Sequence, residues 1–161
     1  MPNVLAKKLD AAIAARSATV GVIGLGYVGL PLAAATASAG FPTTGFDVDA
    51  AKVTRLNAGD SYIDAVASAD LGALVREKRF HATADISKLG ECDIVIICVP
   101  TPLTRHREPD LSFVENASRD IAKTLRKGQL VVLESTTFPG TTTEIVRPIL
   151  EERGLKVTPE K

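Results

Sequence analysis

The chain has 161 residues, the length of one domain, and it can bury a substantial hydrophobic core. Its 19 basic and 19 acidic residues cancel, and no basic stripe with interleaved aromatic residues is present, so no nucleic acid partner is expected. The longest apolar runs are far shorter than a membrane span, and residues 1–17 lack the apolar core of a signal peptide, so no membrane association is expected.

Predicted helices and strands alternate along the chain. We expect an N-terminal helix within residues 1–17, at 3–16, and one domain over 18–161. The elements predicted in that domain are, in chain order, strand 18–23, helix 27–39, strand 42–46, helix 50–58, helix 68–78, strand 79–83, helical turn 85–90, strand 93–99, helix 112–126, strand 129–134, helix 141–153 and strand 155–158. This alternation predicts an α/β fold, a doubly wound parallel sheet with helices on both faces.

Local signals support these boundaries. The runs 94–99 and 130–133 are almost continuously apolar, as in parallel strands that are covered on both faces. Capping boxes at 112–115 and 141–144 predict two helix starts. Gly128 and Gly154 follow predicted helix ends, where a left-handed residue is favoured.

The segment 18–49 contains a strand, a glycine turn, a helix, a second strand and an acidic residue. Gly24, Gly26 and Gly29 form the pattern G-x-G-x-x-G between the first strand and the helix. In a Rossmann-like fold, the first glycine permits the tight turn, the second lets the backbone approach a pyrophosphate, and the third allows close packing of helix and strand. The N-terminus of the helix offers N–H groups to the phosphates. We therefore predict dinucleotide binding rather than a purely structural glycine turn.

Asp47 ends the second strand, about 20 residues after the glycines, where an acidic residue accepts hydrogen bonds from the adenosine ribose hydroxyls. Its charge would repel a 2′-phosphate, which favours NAD over NADP as the cofactor. Lys52 is the nearest cation in the sequence. It either lies in solvent on the next helix or flanks the adenosine ribose or pyrophosphate.

Two unusual loops follow later strands, at the sheet edge where α/β proteins bind ligands. In the first, Pro100 and Pro102 stiffen the backbone around Thr101. This loop is either a rigid connector or a ligand contact. In the second, Ser135, Thr136 and Thr137 lie where the strand ends. Their hydroxyls could reach a nicotinamide ribose or position a water, but no base lies nearby to activate them as nucleophiles.

Cys92 and Cys98 lack the spacing of a metal site or a redox pair, and the two histidines stand alone. We therefore expect no metal. Buried, reduced thiols are typical of a cytoplasmic protein.

Four motifs together resemble the N-terminal NAD-binding domain of the UDP-sugar 6-dehydrogenases (UDP-glucose/GDP-mannose dehydrogenase type). They are GLGYVGLP at 24–31, CVPTPL at 98–103, PDLSFV at 109–114 and ESTTFPGT at 134–141. The resemblance covers nearly the whole chain. The VPTPL and REPDLSF runs resemble the branch that acts on UDP-N-acetylglucosamine or UDP-N-acetylmannosamine more than the UDP-glucose branch.

The resemblance implies oxidation of the C6 hydroxyl of a UDP-sugar to a carboxylate, with two NAD per turnover and a cysteine-bound intermediate. It also implies a homo-oligomeric parent enzyme active in polysaccharide biosynthesis. Thr136 matches a threonine that helps to hold a catalytic water. The residues that match cofactor contacts are Gly24, Leu25, Gly26, Tyr27, Val28, Gly29, Asp47, Lys52, Val99, Pro100, Thr101, Pro102, Leu103, Ser135, Thr136 and Thr137.

The family's catalytic cysteine follows a Gly-Phe-Gly-Gly pattern, and neither Cys92 nor Cys98 matches it. The family's catalytic lysine, asparagine and glutamate, its central helix and its UDP-binding domain also have no counterpart in the chain. We therefore expect a fragment of a longer enzyme that binds NAD but cannot oxidise the sugar. The alternatives are the corresponding part of a UDP-glucose 6-dehydrogenase and a non-catalytic NAD-binding module.

Overall fold

The computed structural model describes residues 4–105 and 107–157. Its strands are β1 (Val20–Ile23), β2 (Thr43–Phe46), β3 (Phe80–Thr83), β4 (Ile94–Ile97) and β5 (Leu130–Leu133). Its α-helices are α1 (Val4–Ala14), α2 (Gly29–Ser38), α3 (Ala50–Asn57), α4 (Ser68–Arg76), α5 (Ser112–Thr124) and α6 (Arg147–Glu151). A 3₁₀ helix (Ile86–Glu91) precedes β4, and a π-helical turn (Thr142–Val146) leads into α6.

The five strands form one parallel sheet in the order β3-β2-β1-β4-β5. The strand β1 lies at its centre, with Val22 between Gly45 of β2 and Ile96 of β4. Parallel strands require crossover connections, which place helices on the faces of the sheet. The predicted doubly wound α/β fold is therefore confirmed.

Each face of the sheet has its own hydrophobic core. Beneath α2, α3 and α4, the fully buried side chains include Leu30, Leu56 and Leu71. Beneath α5 and the 3₁₀ helix, they include Val114 and Ile121. Because both faces are covered, the strands β1 and β4 can consist almost entirely of apolar residues.

The side chain of Asn57, at the end of α3, binds the outer edge of β3. Its amide nitrogen donates to the carbonyl oxygen of Ala82, and its amide oxygen accepts from the N–H of Ala82, both at 2.8 Å. These two bonds reproduce the pairing that a neighbouring strand would make. The outward backbone groups of Ala82 are thus satisfied without a further strand.

The predicted N-terminal helix is present as α1, although residue 3 lies outside the described residues, and none of its side chains is fully buried. Gly128 and Gly154 have φ of 82° and 90°, which confirms the left-handed conformation predicted after α5 and α6. No described helix is long and apolar enough to cross a membrane.

The strand predicted at 155–158 is wrong for residues 155–157, and residue 158 lies outside the described part of the chain. Instead of pairing with a strand, this segment folds back on α6. The N–H of Val157 donates to the carboxylate of Glu151 at 2.9 Å, and the guanidinium of Arg147 donates to the carbonyl oxygen of Val157 at 3.3 Å. Side chains therefore satisfy backbone groups that a strand would have used.

Both predicted capping boxes are wrong, although the two helices begin near the expected residues. The helix α5 begins at Ser112, whose N–H donates to the carboxylate of Asp110 at 2.9 Å. Hydrogen bonding from the side chain of Ser112, and secondly from this N–H, lowers the pKa of Asp110. Thr141 donates its hydroxyl to the carbonyl oxygen of Phe138 rather than capping the next turn. That turn is π-helical and is followed by Pro148, which has no N–H for a regular helical bond.

Candidate functional site

The predicted site residues lie after four strands of the same sheet. Residues 24–29 follow β1, Asp47 follows β2, residues 99–103 follow β4, and residues 135–137 follow β5. Because the strands are parallel, these four segments share the carboxyl edge of the sheet. The strand order changes direction at β1, and ligands of open α/β sheets bind at such a point.

Gly24 and Gly29 are required by the tight geometry of the turn. Gly24 has φ of 89°, and a Cβ there would lie 2.6 Å from the carbonyl oxygen of Cys98. A Cβ on Gly29 would overlap the carbonyl oxygen of Gly24 and lie 3.2 Å from the Cβ of Cys98. The tight turn predicted at Gly24 and the close packing predicted at Gly29 are therefore confirmed.

Gly26 differs from the other two glycines of the motif. A Cβ at this position would meet no heavy atom of the described residues within 4 Å, and its φ is not in the left-handed region. Neither the backbone conformation nor packing within the protein therefore requires glycine here. The remaining physical reason is the approach of something outside the chain to the backbone.

The backbone N–H groups at the turn favour an anion as that ligand. Within residues 4–105 and 107–157, no acceptor binds the N–H of Gly26, Tyr27 or Val28. Tyr27 is 85% exposed and Val28 62% exposed, so solvent reaches this surface. The three N–H groups directly precede α2, whose N-terminus carries the positive end of the helix dipole.

The carboxylate of Asp47 is half-buried beside the turn. One oxygen accepts from the N–H of Leu25 at 3.0 Å, and the other accepts from the N–H of Asp49 at 3.0 Å. The carboxylate therefore ties β2 to the glycine turn. Each of its oxygens has a further lone pair with which to accept a ligand hydroxyl.

Tyr62 and Arg55 also lie at this edge, and the sequence analysis missed both. The phenol of Tyr62 donates to the carbonyl oxygen of Leu25 at 2.7 Å. The ammonium of Lys52 and the guanidinium of Arg55 lie 5.7 and 5.5 Å from the centre of the Tyr62 ring. Burial, together with the charges of Asp47 and Asp49, raises the pKa of Tyr62 to about 12. No local motif marks Tyr62, because the turn that it contacts is 37 residues earlier in the chain.

The loop after β4 leads into a short hairpin-like turn. Leu103 and Pro109 form an isolated antiparallel bridge, and the N–H of Asp110 donates to the carbonyl oxygen of Pro102 at 2.8 Å. Thr101 is half-buried, whereas Pro100 and Leu103 are exposed. The stiff backbone expected from the prolines agrees with this bonding, and a role for Thr101 in binding stays a prediction. His106 lies outside the described residues.

The loop after β5 is tied to the loop after β4. The hydroxyl of Ser135 donates to the carbonyl oxygen of Val99 at 2.9 Å, which leaves only its lone pairs for a ligand. Thr136 is exposed and Thr137 is half-buried. Because Thr136 is exposed, solvent reaches this residue, and its predicted contact with a catalytic water stays a prediction.

Neither cysteine is suited to nucleophilic chemistry. Burial raises the pKa of Cys92 and of Cys98 to about 11, with smaller contributions from neighbouring carboxylates. The reactive thiolate is therefore scarce at neutral pH. Among the described residues, no group of three His, Cys, Asp or Glu side chains could hold a metal ion.

Comparison with known proteins places these features in a family. The model of the UDP-glucose/GDP-mannose dehydrogenase family, NAD binding domain, matches residues 18–160. The chain belongs to this family. The resemblance found in the sequence is confirmed, and NAD is the cofactor of the matching domain.

Relatives in bacteria support the same family membership. UDP-N-acetyl-D-glucosamine 6-dehydrogenase of Pseudomonas aeruginosa is 38% identical over 133 residues, which are 83% of this chain and 31% of that protein. UDP-N-acetyl-D-mannosamine dehydrogenase of Escherichia coli K12 is 40% identical over 84% of this chain and 32% of its own length. The chain thus spans about a third of these dehydrogenases.

Solved structures of the family share this fold. NDP-N-acetyl-D-galactosaminuronic acid dehydrogenase from Methanosarcina mazei Go1 matches with a TM-score of 0.81 and 35% identity, over 93% of this chain and 34% of that one. GDP-mannose dehydrogenase from Pseudomonas aeruginosa matches with a TM-score of 0.79 and 32% identity, over 85% of this chain and 33% of that one.

Two shallow surface pockets of the present chain, between α2 and α4 and beside α6, contain none of the candidate site residues.

Proposed function

We propose that this NAD-binding domain serves a UDP-sugar 6-dehydrogenase that oxidises the C6 hydroxyl of a UDP-N-acetylhexosamine to the carboxylate. The observation that carries the cofactor part of the proposal is the glycine turn, where three N–H groups without an acceptor among the described residues lie beside the carboxylate of Asp47. The N–H groups can donate hydrogen bonds to a phosphate, and the neighbouring carboxylate can accept them from hydroxyls. This pair matches the pyrophosphate and ribose of a dinucleotide.

The residues present fit the cofactor. The open space at Gly26 admits a phosphate to the N–H groups of Gly26, Tyr27 and Val28. Asp47 accepts from the adenosine ribose hydroxyls, and Lys52 adds a positive charge beside them. NAD supplies a hydride acceptor for the oxidation of an alcohol. The remaining work of the chain is to bind and orient this group at the sheet edge.

The loops after β4 and β5 form the nicotinamide end of the proposed site. The segment 99–103 lines one side, and Ser135, Thr136 and Thr137 line the other. The bond from Ser135 to the carbonyl oxygen of Val99 holds the two loops at a fixed distance. Thr136, which is exposed, holds a water in this proposal, because a threonine hydroxyl without an activating base is a weak nucleophile.

The names of the relatives support an N-acetylhexosamine as the sugar. We place the enzyme in the cytoplasm, where NAD is available and the buried thiols of Cys92 and Cys98 stay reduced. Cell fractionation with an antibody against the domain tests this location. Detection outside the cytoplasmic fraction would contradict it.

Calorimetric titration of the chain with NAD⁺ tests the proposed binding directly. Saturable binding with one site per chain is the expected result, and a weakening of about tenfold to a hundredfold in Gly26→Ala assigns the site to the glycine turn. Failure of NAD⁺ to bind, or binding that Gly26→Ala leaves unchanged, would contradict the proposed site. The sugar is tested in the enzyme encoded by the whole gene, by comparing turnover of UDP-N-acetylglucosamine, UDP-N-acetylmannosamine and UDP-glucose.

A further inference from the structure

The peptide groups on both sides of Leu25 are held by side chains from other elements. Asp47 accepts the N–H of Leu25 at 3.0 Å, and Tyr62 donates to its carbonyl oxygen at 2.7 Å. The side chain of Leu25 is fully buried, so this residue is fixed from three directions. No other residue of the glycine turn is restrained so completely by the contacts described.

The bond from Tyr62 has a consequence for the next residue. The carbonyl group of Leu25 and the N–H of Gly26 belong to one planar peptide unit and point in opposite directions. Tyr62 draws the carbonyl oxygen towards itself, and the N–H of Gly26 must then point away from Tyr62. Rotation of this peptide would break the hydrogen bond to Tyr62 and misdirect that N–H.

The ring of Tyr62 is itself held in place. Lys52 and Arg55, one turn apart on α3, lie over it at distances typical of cation–π contacts. Arg55 is further fixed by an ion pair with Asp60, at 2.7 Å, in the loop that carries Tyr62. Because the pKa of Tyr62 is raised to about 12, its hydroxyl remains a donor at every pH at which the protein would work.

We infer that Tyr62 is a positioning residue for the cofactor pyrophosphate, acting through the carbonyl oxygen of Leu25 to set the direction of the Gly26 N–H. This inference rests on the proposed function of the glycine turn. Tyr62 does not contact the pyrophosphate. It fixes a donor before the ligand arrives, so that less ordering is needed on binding.

The variant Tyr62→Phe isolates this role, because it keeps the ring and its cationic neighbours but removes the hydroxyl. Binding of ADP, which contains a pyrophosphate, and of adenosine, which does not, is measured by amide chemical-shift titration. We expect affinity for ADP and NAD⁺ to fall about threefold to tenfold, the effect of one neutral hydrogen bond. Affinity for adenosine is expected to stay at its parental value. The amide signal of Gly26 should also shift or broaden in the ligand-free variant.

Ser118→Ala is the matched control. It removes a bond from a buried hydroxyl to a backbone carbonyl oxygen, at 2.8 Å to Val114, on the other face of the sheet. This control should change neither the selectivity for ADP over adenosine nor the Gly26 signal. A purely structural role for Tyr62 would weaken ADP and adenosine equally, and that result would overturn the inference. Parental ADP affinity in Tyr62→Phe would also overturn it.

Failure of the proposed function gives a different pattern. If the parent chain binds neither ADP nor NAD⁺, there is no pyrophosphate to position, and both proposals fall. If the parent binds both ligands and Tyr62→Phe binds them equally well, only the role of Tyr62 is wrong. Thermal unfolding of each variant is recorded first, so that every affinity is measured on folded protein.

Discussion

Replacement of Gly26 by alanine should affect the stability of the protein and its binding of NAD⁺ in opposite directions. Within the part of the chain that the structure describes, the added Cβ meets no heavy atom within 4 Å, and the backbone of Gly26 is not left-handed. At such a position, glycine-to-alanine replacement stabilises a protein by about 0.4–1 kcal/mol, because the unfolded chain loses freedom. A gain of 1 kcal/mol raises Tm by about 2–4 °C at this chain length. We therefore expect Gly26→Ala to melt at or slightly above the parental temperature.

The same methyl group should weaken NAD⁺ binding strongly. It occupies the open space through which a phosphate reaches the N–H groups of the turn. Loss of one hydrogen bond to a charged group costs about 1.5–3 kcal/mol, which corresponds to about tenfold to a hundredfold in the dissociation constant. Calorimetric titration of the parent and of Gly26→Ala with NAD⁺ measures this difference.

Gly29→Ala is the contrasting variant in the same motif. Its Cβ overlaps the carbonyl oxygen of Gly24, so the helix α2 must move away from β1. Overpacking of this kind typically costs about 1–3 kcal/mol, and Tm should fall. The reasoning is refuted if Gly26→Ala binds NAD⁺ with parental affinity, or if it loses as much stability as Gly29→Ala.

Three further predictions follow from the site. The chain should bind NAD⁺ more tightly than NADP⁺ because the charge of Asp47 repels a 2′-phosphate. Asp47→Ala should weaken NAD⁺ binding by about 1.5–3 kcal/mol. Equal affinities for NAD⁺ and NADP⁺ in calorimetric titration would contradict the first expectation. The 161-residue chain should not oxidise UDP-N-acetylglucosamine, UDP-N-acetylmannosamine or UDP-glucose, and NADH absorbance above the no-enzyme rate would show that reasoning to be wrong. Because the pKa of both cysteines is raised from 9.0 to about 11, their stabilising contribution is complete below pH 9.0 and is lost as pH approaches 11. The free energy of unfolding, measured by urea titration, should fall over this range more steeply than in Cys92→Ala/Cys98→Ala, and equal slopes would exclude the thiols as the cause.

The parts of the fold that the sequence predicted correctly are determined by residues close together in the chain. Gly24 is required by a positive φ, and Gly29 is required by a close contact. The apolar run of β4 reflects a strand that is covered on both faces. The positions of the strands and the parallel sheet follow from such patterns. The segment 155–157 was misassigned because its polar contacts with α6, rather than its apolar residues, determine its path.

The missed part of the site depends on contacts between distant residues. Tyr62 reaches the turn across 37 positions, and Ser135 reaches Val99 across 36. The sequence around Tyr62 and Ser135 does not indicate which acceptor each hydroxyl binds. A tyrosine in a polar loop, for example, is equally compatible with solvent exposure. The capping box at 112–115 failed for a local reason, because Asp110, two residues before Ser112, accepts from the first N–H of α5.

The amide of Asn57 gives the sheet two unequal ends. At β3 it occupies the backbone groups of Ala82, whereas within residues 4–105 and 107–157 no side-chain amide binds the backbone of β5, and Leu130 is 41% exposed. An uncovered edge strand is a template for pairing with another strand. Head-to-tail growth into a filament needs two receptive edges on every molecule, and a single receptive edge permits only closed pairs. By occupying the backbone groups of Ala82, one asparagine at the end of a helix thus makes the β3 edge less receptive to a further strand, which opposes such head-to-tail growth.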